Sequence, residues 1–517
     1  MPRYPAPVRP ALLVGLVLAS CRGAAAELVV ANGPDPEVLD PQLASSTAEG
    51  RILSALTCGL TRLDPATLLP QPALAQSWRA HDGGRSWEFT LRPDLRWSDG
   101  SPLTAVDFVD SWRRLLHPAT AAPCRDWLPL EGLAEWDPDG AAPPAGLQAE
   151  GGRLSVRFQR PVPCFDQMCA YHALAPLPPC DRAAPAGEPA SLRVSSGPYR
   201  LLERRVRDRV RVARNPCYWD AASVTIARID FLTTDSLLTA LNLFLAGDAD
   251  YAPDVPSLAI PALASRAEYA PAPYFGTEFY RVNCRRGPLQ DARVRRALSL
   301  AVDRDALAAT VGGGQAPARS FVPPYAAPYQ PAAECRFDPQ AAADLLAAAG
   351  FPGGSGLPRL RVVFPSGETS RDVAEALADQ WRRHLGVATT LDMQESASAR
   401  AAVRAGDYDL ARASWIGDYL DPATFLDVLR ADNPQNQTAW ADPEYGARLA
   451  AAEGDAAARL ERLRAAESYL LEQAPIIPLF HYATHELVAP RIANFARNSR
   501  QYVDWGRLRL AATGPED

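Results

Sequence analysis

Lysine is absent from this sequence of 517 residues, so arginine supplies all 53 basic side chains. The 60 acidic residues outnumber them, which leaves a formal net charge of −7 at pH 7 and a pI of about 5.6. A negative chain has no long-range attraction for nucleic acid or anionic lipid, and we therefore predict no nucleic-acid partner. Hydrophobic residues make up 47% of the chain and charged residues 22%, as in ordinary soluble globular proteins.

Signatures of common catalytic sites are also absent. No GxSxG or CxxC motif occurs, and the glycine run Gly312–Gly314 lacks the lysine that a P-loop requires. His481 and His485 are four residues apart, which on a helix would place two metal ligands on one face. Their apolar surroundings favour a strand instead, where residues four apart are about 13 Å from each other. We predict that the protein is not an enzyme and has neither metal nor cofactor.

No run of 18 apolar residues occurs, so no segment qualifies as a transmembrane helix. The N-terminus has basic residues at Arg3 and Arg9 and a short apolar run over Ala11–Leu18. The sequence Leu-Ala-Ser-Cys that ends at Cys21 resembles a bacterial lipobox. We therefore expect a lipoprotein signal peptide over residues 1–20, lipidation of Cys21, and export to the periplasm with a lipid anchor as the only membrane contact. A plain secretory signal is the alternative.

Cysteine is scarce but even in number once Cys21 is set aside. In an oxidising compartment this favours disulfide bonds, although the sequence leaves their connectivity open. Local closure suggests pairing of Cys180 with Cys164 or Cys169. The eight candidates are Cys58, Cys124, Cys164, Cys169, Cys180, Cys217, Cys284 and Cys335.

Strand and helix patterns alternate along most of the chain, which predicts an α/β protein, and the length predicts two or three domains. Residues 224–254 read as strand, helix and strand, a βαβ unit that requires a parallel or mixed sheet. Thr104 is placed to cap a helix, with Asp107 three residues further on. The β-like segment near the C-terminus needs partner strands, and we expect it to return to the first domain.

Several motifs resemble, in order and spacing, those of ABC-transporter extracellular solute-binding proteins of family 5, the oligopeptide and dipeptide permease class. The resemblance covers nearly the whole mature chain. The motifs are LDP (39–41), WSDGSPLTAVDFVDSW (97–112), SGPY (196–199), NPCYWD (215–220), LFLAGDADY (243–251), FYRVN (279–283), LQDARVRRALSLAVDRDAL (289–307), LLAAAGF (345–351) and YDLARASWIGDYLDPATFLD (408–427).

The resemblance implies a bilobal periplasmic-binding-protein fold of type II, cluster C-like, with three domains and a hinge. Domain I would be discontinuous and combine residues 27–65, 195–283 and 478–510. Domain II would be inserted at 66–194, and domain III would span 284–477.

The resemblance also implies a peptide site in which Asp418 binds the ligand's N-terminal ammonium, since a buried ammonium needs a carboxylate partner. Strand addition would satisfy the ligand backbone. The candidate contacts are Ser414, Trp415, Ile416 and Tyr419 around Asp418, and Asn32 and Val38 on an early segment.

The residue that would bind the ligand carboxylate stays open. Arg412 matches one basic position of the family, whereas a second falls on Val403, where the adjacent Arg404 would substitute. A family histidine falls on Ser370. A disulfide found in some relatives would join the positions of Gly276 and Ile416, and both cysteines are missing here.

The function implied is that of a monomeric substrate-binding lipoprotein that delivers oligopeptides to an ABC-transporter permease. The alternative is a sensor or scavenger of the same fold that binds cell-wall peptides or a non-peptide solute such as haem, a metal chelate or a glycan.

Overall fold

The computed structural model describes residues 27–182, 191–326, 328–331, 335–453 and 457–511. The expected signal peptide and Cys21 lie outside the described residues. Within the described residues, no helix has the length and apolar character needed to cross a membrane.

The strands are β1 (Glu27–Gly33), β2 (Thr61–Leu63), β3 (Pro70–Pro72), β4 (Ala75–His81), β5 (Ser86–Leu91), β6 (Leu147–Glu150), β7 (Arg153–Arg157), β8 (Tyr199–Arg205), β9 (Arg209–Arg214), β10 (Arg228–Thr233), β11 (Tyr251–Ala252), β12 (Tyr269–Val282), β13 (Ala316–Pro317), β14 (Leu360–Pro365), β15 (Thr389–Gln394), β16 (Leu410–Ile416), β17 (Ile476–Val488), β18 (Ile492–Ala493) and β19 (Arg509–Leu510).

The helices are α1 (Thr47–Leu56), α2 (Ala105–Leu116), α3 (Phe165–Met168), α4 (Pro179–Arg182), α5 (Leu237–Leu245), α6 (Ile260–Leu263), α7 (Ala292–Leu300), α8 (Arg304–Val311), α9 (Pro339–Ala348), α10 (Glu368–Leu385), α11 (Ser396–Arg404), α12 (Ala423–Leu426), α13 (Pro443–Glu453) and α14 (Arg459–Gln473).

One mixed sheet of eleven strands runs through both halves of the protein, in the order β15-β14-β16-β12-β17-β11-β1-β10-β9-β8, with β13 paired to β17. Strand β1 lies between β10 and β11 and is parallel to both. Helix α5 connects β10 to β11, so the predicted βαβ unit and its parallel pairing are confirmed.

The two halves of the sheet meet at the long antiparallel pair β12 and β17. Residues Tyr269–Pro273 of β12 pair with the second half of β17, and Thr277–Arg281 pair with the first half. The pairing register shifts between these two stretches. Because β17 also pairs with β11, the C-terminal segment returns to the sheet that contains β1, as the sequence predicted.

A separate four-stranded sheet, β4-β5-β7-β6, packs with α2 around an aromatic core. The core includes Trp112 of α2, which meets Phe165 edge to face with ring centroids 5.8 Å apart. Helix α2 begins as predicted after Thr104, whose backbone N–H donates to the Asp107 carboxylate at 2.6 Å. The cap satisfies a backbone group that the helix cannot.

The expected disulfides are wrong, because the eight cysteines between Cys58 and Cys335 are all free thiols. Cys164 and Cys169 flank the short helix α3 and are buried in the aromatic core, whereas Cys180 is exposed on α4. The core buries Cys164 and Cys169 as small apolar side chains, and neither of them is bonded to Cys180.

Gly197, in the SGPY motif, packs directly on the C-terminal end of α1. A Cβ at this position would lie 2.6 Å from both the carbonyl carbon of Leu56 and the backbone nitrogen of Thr57. Both atoms belong to the backbone, so a side-chain rotation cannot relieve the clash.

We expect Gly197→Ala to lower the free energy of unfolding by about 1–3 kcal/mol, measured as a fall in the thermal unfolding midpoint. Gly446→Ala is the matched control, because a Cβ at Gly446 of α13 meets nothing within 4 Å. An unchanged midpoint for Gly197→Ala would contradict the close approach.

Candidate functional site

A cavity of about 550 Å³ lies between the aromatic four-stranded unit and the part of the chain that follows β16. Its lining comes from residues 123–171 on one side and residues 415–463 on the other, with Ala44 and Ser45 from the first segment of the chain. Asp418, Trp415 and Tyr419 all line it. The structure therefore brings three of the predicted site residues to one cavity.

Asp418 enters the cavity at the turn that ends β16. The preceding Gly417 lies against Phe275, where a Cβ would be 2.3 Å from the ring, so a side chain at this turn would displace the aromatic residue. The Asp418 backbone N–H donates to Thr424 Oγ1 at 3.2 Å. This bond holds the turn against α12 and leaves the carboxylate free to face the cavity.

The Asp418 carboxylate receives no hydrogen bond from the residues that the structure describes. Desolvation raises the pKa of Asp418 to about 6, and the positive charge of Arg500 opposes that shift. A carboxylate removed from water without a donor is costly in its ionised form. An ionised carboxylate at this position can pair with a cation that enters the cavity.

Sequence reasoning missed Arg500, which lies near Asp418, Tyr171 and Tyr274 and whose pKa burial lowers. Arg500 follows Ser499, whose carbonyl accepts a hydrogen bond from the Phe275 N–H at 2.6 Å, so the C-terminal loop is tied to β12 beside the site. Its surrounding sequence carries no motif that would have marked it.

Tyr419 fixes the turn to the opposite side of the cleft. Its ring is buried in the core of the four-stranded unit and meets Trp127 edge to face, with centroids 5.8 Å apart. The next residue, Leu420, donates its N–H to Gln167 Oε1 at 3.0 Å. Arg160 also reaches across to Glu453 at 2.9 Å. The two walls of the cavity are thus in direct contact.

Strand β16 has one paired edge and one open edge beside Asp418. Residues Leu410–Ile416 pair with β12 throughout, whereas pairing with β14 involves only Leu410 and Ala411. Within the described chain, no other strand pairs with the stretch that contains Ser414 and Ile416. Ile416 is the direct partner of Gly276 in β12, so the two positions that a disulfide would join in some relatives are adjacent here.

Trp415 presents its indole to the cavity wall. Its Nε1 is buried and finds no acceptor in the described part of the structure. A buried indole N–H normally has an acceptor, so the lack of one at this Nε1 is unusual.

The two candidate arginines do not join this group. Arg412 forms a bidentate ion pair with the buried Glu278, at 2.5 and 2.7 Å, and also donates to the Tyr482 hydroxyl. Arg404 is exposed at the end of α11. Neither is among the residues that line the cavity.

The early candidates Asn32 and Val38 contact α1 and its N-terminal turn. Asn32 donates from Nδ2 to the Ala48 carbonyl at 3.0 Å, and the Val38 N–H donates to Glu49 at 3.1 Å. The cavity is lined by Ala44 and Ser45 from this part of the chain instead.

The two histidines of the considered metal site lie on strand β17. His481 Nδ1 is 2.9 Å from Thr277 Oγ1, and His485 Nδ1 is 2.8 Å from the Tyr269 hydroxyl. Among the described residues, no group of three or more His, Cys, Asp and Glu side chains is arranged to hold a metal ion.

Comparison with known proteins gives the class to which this fold and site belong. The profile of bacterial extracellular solute-binding proteins, family 5 Middle, matches residues 70–437, which is more than half of the chain. The chain therefore belongs to family 5 of these proteins, and its fold is the bilobal periplasmic-binding-protein fold that the sequence predicted.

Curated relatives match along nearly their whole length. The periplasmic murein peptide-binding protein MppA of Escherichia coli is 32% identical, over 93% of this chain and 92% of its own. The probable deoxycholate-binding periplasmic protein YgiS of E. coli is 33% identical, over 91% of both chains. The periplasmic oligopeptide-binding protein OppA of Salmonella typhimurium is 31% identical, over 90% of this chain and 89% of its own.

Solved structures have a similar fold. The E. coli murein tripeptide binding protein MppA superposes with a TM-score of 0.80 at 30% identity, covering 94% of this chain and 98% of that one. Haemophilus influenzae OppA in complex with the peptide RPPGFSPFR gives a TM-score of 0.78 at 28% identity, with coverage of 94% and 99%.

Asp418→Asn should stabilise the unliganded protein at pH 8. The native pKa of about 6 lies above the ordinary 3.8, so the ionised carboxylate destabilises the folded state above pH 6. Removing the charge should raise the free energy of unfolding by about 1–3 kcal/mol at pH 8, and the gain should vanish as the pH falls toward 4. Thermal unfolding at several pH values measures it.

The control is Asp372→Asn, because Asp372 is exposed on α10 away from the cavity. Its effect on the free energy of unfolding at pH 8 should be small, because surface substitutions away from other groups usually change stability little. Destabilisation of the protein by Asp418→Asn at pH 8 would contradict an unpartnered carboxylate.

Proposed function

We propose that this protein binds oligopeptides in extended form, pairs their N-terminal ammonium with Asp418, and delivers them to an ABC-transporter permease. The observation that carries the proposal is the desolvated Asp418 carboxylate, which faces the cavity with no donor among the described residues. Peptide-binding relatives of about the same length support it.

Strand addition to β16 accounts for recognition of the peptide backbone. The edge of β16 that β12 does not occupy is open from Arg412 to Ile416. A peptide laid along this edge would satisfy its own N–H and C=O groups whatever its side chains, with its ammonium end directed to Asp418. Trp415 Nε1 would add a donor for a ligand carbonyl.

Capture requires the cavity walls to separate and close again. We assign the three domains to the predicted ranges 27–65, 195–283 and 478–510 for domain I, 66–194 for domain II and 284–477 for domain III. The pair β12 and β17 crosses from the first to the third and would act as the hinge, because its register shift already interrupts regular pairing there. The contacts of Tyr419 and Leu420 with the inserted domain would then form on closure.

We also propose that the protein acts as an exported monomer anchored through lipid on Cys21. The N-terminal pattern of basic residues, short apolar run and Leu-Ala-Ser-Cys supports cleavage before that cysteine.

Binding of a non-peptide solute is the second candidate, because a relative at 33% identity is named a probable deoxycholate-binding protein. Deoxycholate is an anion. An ionised Asp418 would repel it, so the charge of the site favours the peptide. The same distinction separates a haem or glycan ligand from a peptide, since neither requires an ammonium receptor.

Asp418→Asn should weaken binding of the tripeptide Ala-Ala-Ala by roughly 30-fold or more, because loss of one partner from a buried charge pair costs about 2–5 kcal/mol. Titration calorimetry at pH 7.5 measures it. Wild-type affinity should also fall as the pH drops through about 6, because protonation removes the charge that the ammonium requires.

The matched control is Asp372→Asn, which should bind as the wild type does. N-acetyl-Ala-Ala-Ala should bind wild type weakly and be insensitive to Asp418→Asn. Equal affinity of the acetylated and free peptides, or tight deoxycholate binding that Asp418→Asn improves, would refute ammonium pairing.

Cys21→Ser should abolish lipidation and release the expressed protein into the aqueous phase on detergent partitioning. Wild type should enter the detergent phase, because acyl chains on Cys21 give stable membrane attachment. Cys180→Ser, which changes an exposed thiol, is the control. Aqueous partitioning of wild type would leave the plain secretory signal as the explanation.

A further inference from the structure

The arginines that line the cavity already have carboxylate partners. Arg160 pairs with Glu453 at 2.9 Å, and Arg430 pairs with Asp427 at 2.6 Å and also contacts Glu453. A third arginine also lines the cavity. Arg459 at the start of α14 makes a bidentate contact with Asp421 at 2.7 and 2.8 Å. The described lining therefore offers a ligand no guanidinium that is free of a protein carboxylate.

Three carboxylates of the same lining have no such partner. Asp126, Asp418 and Asp432 line the cavity, and no described residue forms an ion pair or a hydrogen bond with their side chains. Asp418 is the deep one. Asp126 and Asp432 are exposed to solvent at the cavity, where their charge acts through water.

These carboxylates come from opposite walls. Asp126 belongs to a short 3-10 helix over Arg125–Trp127, in the segment that follows α2. Asp432 lies in the loop that follows α12, ahead of Pro434. The cavity thus has an exposed carboxylate on each wall in addition to Asp418.

The cavity thiols add no charge of their own, because burial raises the pKa of both Cys124 and Cys164 and keeps them neutral. The positive charge of Arg500 acts on Asp418, but Arg500 is not among the lining residues. The lining therefore has unbalanced negative charge before a ligand binds and keeps part of it after one ammonium is neutralised.

We propose that the site selects cationic peptides, in which basic side chains beyond the N-terminal residue face Asp126 and Asp432, and that it disfavours acidic peptides. The inference rests on the proposed function, since it requires a peptide anchored at Asp418. The deep carboxylate sets the position of the ammonium end, and the two exposed ones discriminate among sequences.

A ligand carboxylate that displaced Glu453 from Arg160 would give the opposite preference. Glu453 also holds Arg430, so its charge would not be left alone, and the exchange is chemically reasonable. Acidic peptides would then bind as tightly as basic ones or more tightly. The two hypotheses therefore predict opposite charge preferences for the peptide.

The test compares Ala-Lys-Lys, Ala-Ala-Ala and Ala-Glu-Glu by titration calorimetry with wild type, the double variant Asp126→Asn/Asp432→Asn, and the control Asp372→Asn. Exposed pairs are weak, so we expect wild type to prefer Ala-Lys-Lys over Ala-Ala-Ala by roughly two- to fivefold per carboxylate. Ala-Glu-Glu should bind weakest. The double variant should level the series, and Asp372→Asn should leave it unchanged.

Salt provides a second measurement that needs no variant. The preference of wild type for Ala-Lys-Lys should shrink in high salt, because the exposed carboxylates act through solvent. A wild-type preference for Ala-Glu-Glu, or a lysine preference that survives the double variant, would overturn the inference.

The design separates failure of this inference from failure of the proposed function. Binding of Ala-Ala-Ala that depends on Asp418 but shows no charge preference would refute only the inference. Absence of binding for all three peptides, or binding that Asp418→Asn leaves unchanged, would refute the proposed function itself.

Discussion

The antiparallel pairing of β12 with β17 is the constraint on which the arrangement depends. These two strands carry one sheet through both halves of the protein, and the remaining strands of the large sheet are placed relative to them. Strand β16 lies beside β12 and ends where the register of the long pair is irregular. The Asp418 turn therefore emerges at the junction of the two halves, where the proposed rotation of one against the other would open or close the cleft.

Under the proposed function, the raised pKa of Asp418 reflects a carboxylate that has no partner until a ligand ammonium binds. An ionised carboxylate without donors costs folding free energy, and its raised pKa expresses that cost. Packing around the turn offsets this cost, because Tyr419 is buried in the core of the inserted unit and Gly417 allows Phe275 to approach. Under the proposed function, a ligand ammonium would supply the missing partner, so that binding would favour closure.

Local rules were sufficient for part of the fold. The Thr104 cap of α2 and the βαβ unit around α5 depend on residues close in sequence, so their patterns could be read directly. Boundaries were less predictable. Helical periodicity runs through residues 443–473 of the sequence, whereas the structure has two helices there, α13 and α14.

Long-range contacts explain what could not be read from the sequence. The family resemblance predicted a role for Asp418. Arg412 was a candidate to bind a ligand carboxylate, because the sequence does not show that it pairs with Glu278, which is 134 residues away. No local pattern links the two. The same holds for Arg500, which reaches the site through a C-terminal loop tied to β12. For the cysteines, an even count favoured bonds, whereas bonding depends on distances that only the fold determines.

The Arg412–Glu278 pair shows how this site divides its tasks. Each group is bound by the other, and the Tyr482 hydroxyl completes the set, so an inserted ligand carboxylate would have to break a bidentate pair against the buried Glu278. That exchange leaves a charge uncompensated and is therefore unfavourable. Backbone pairing along β16 would not depend on the ligand sequence, whereas the interaction with the unpaired charges in the cleft would depend on it. Under the proposed function, the edge of β16 would supply affinity for the ligand backbone, whereas Asp418, Asp126 and Asp432 from both walls would supply selectivity.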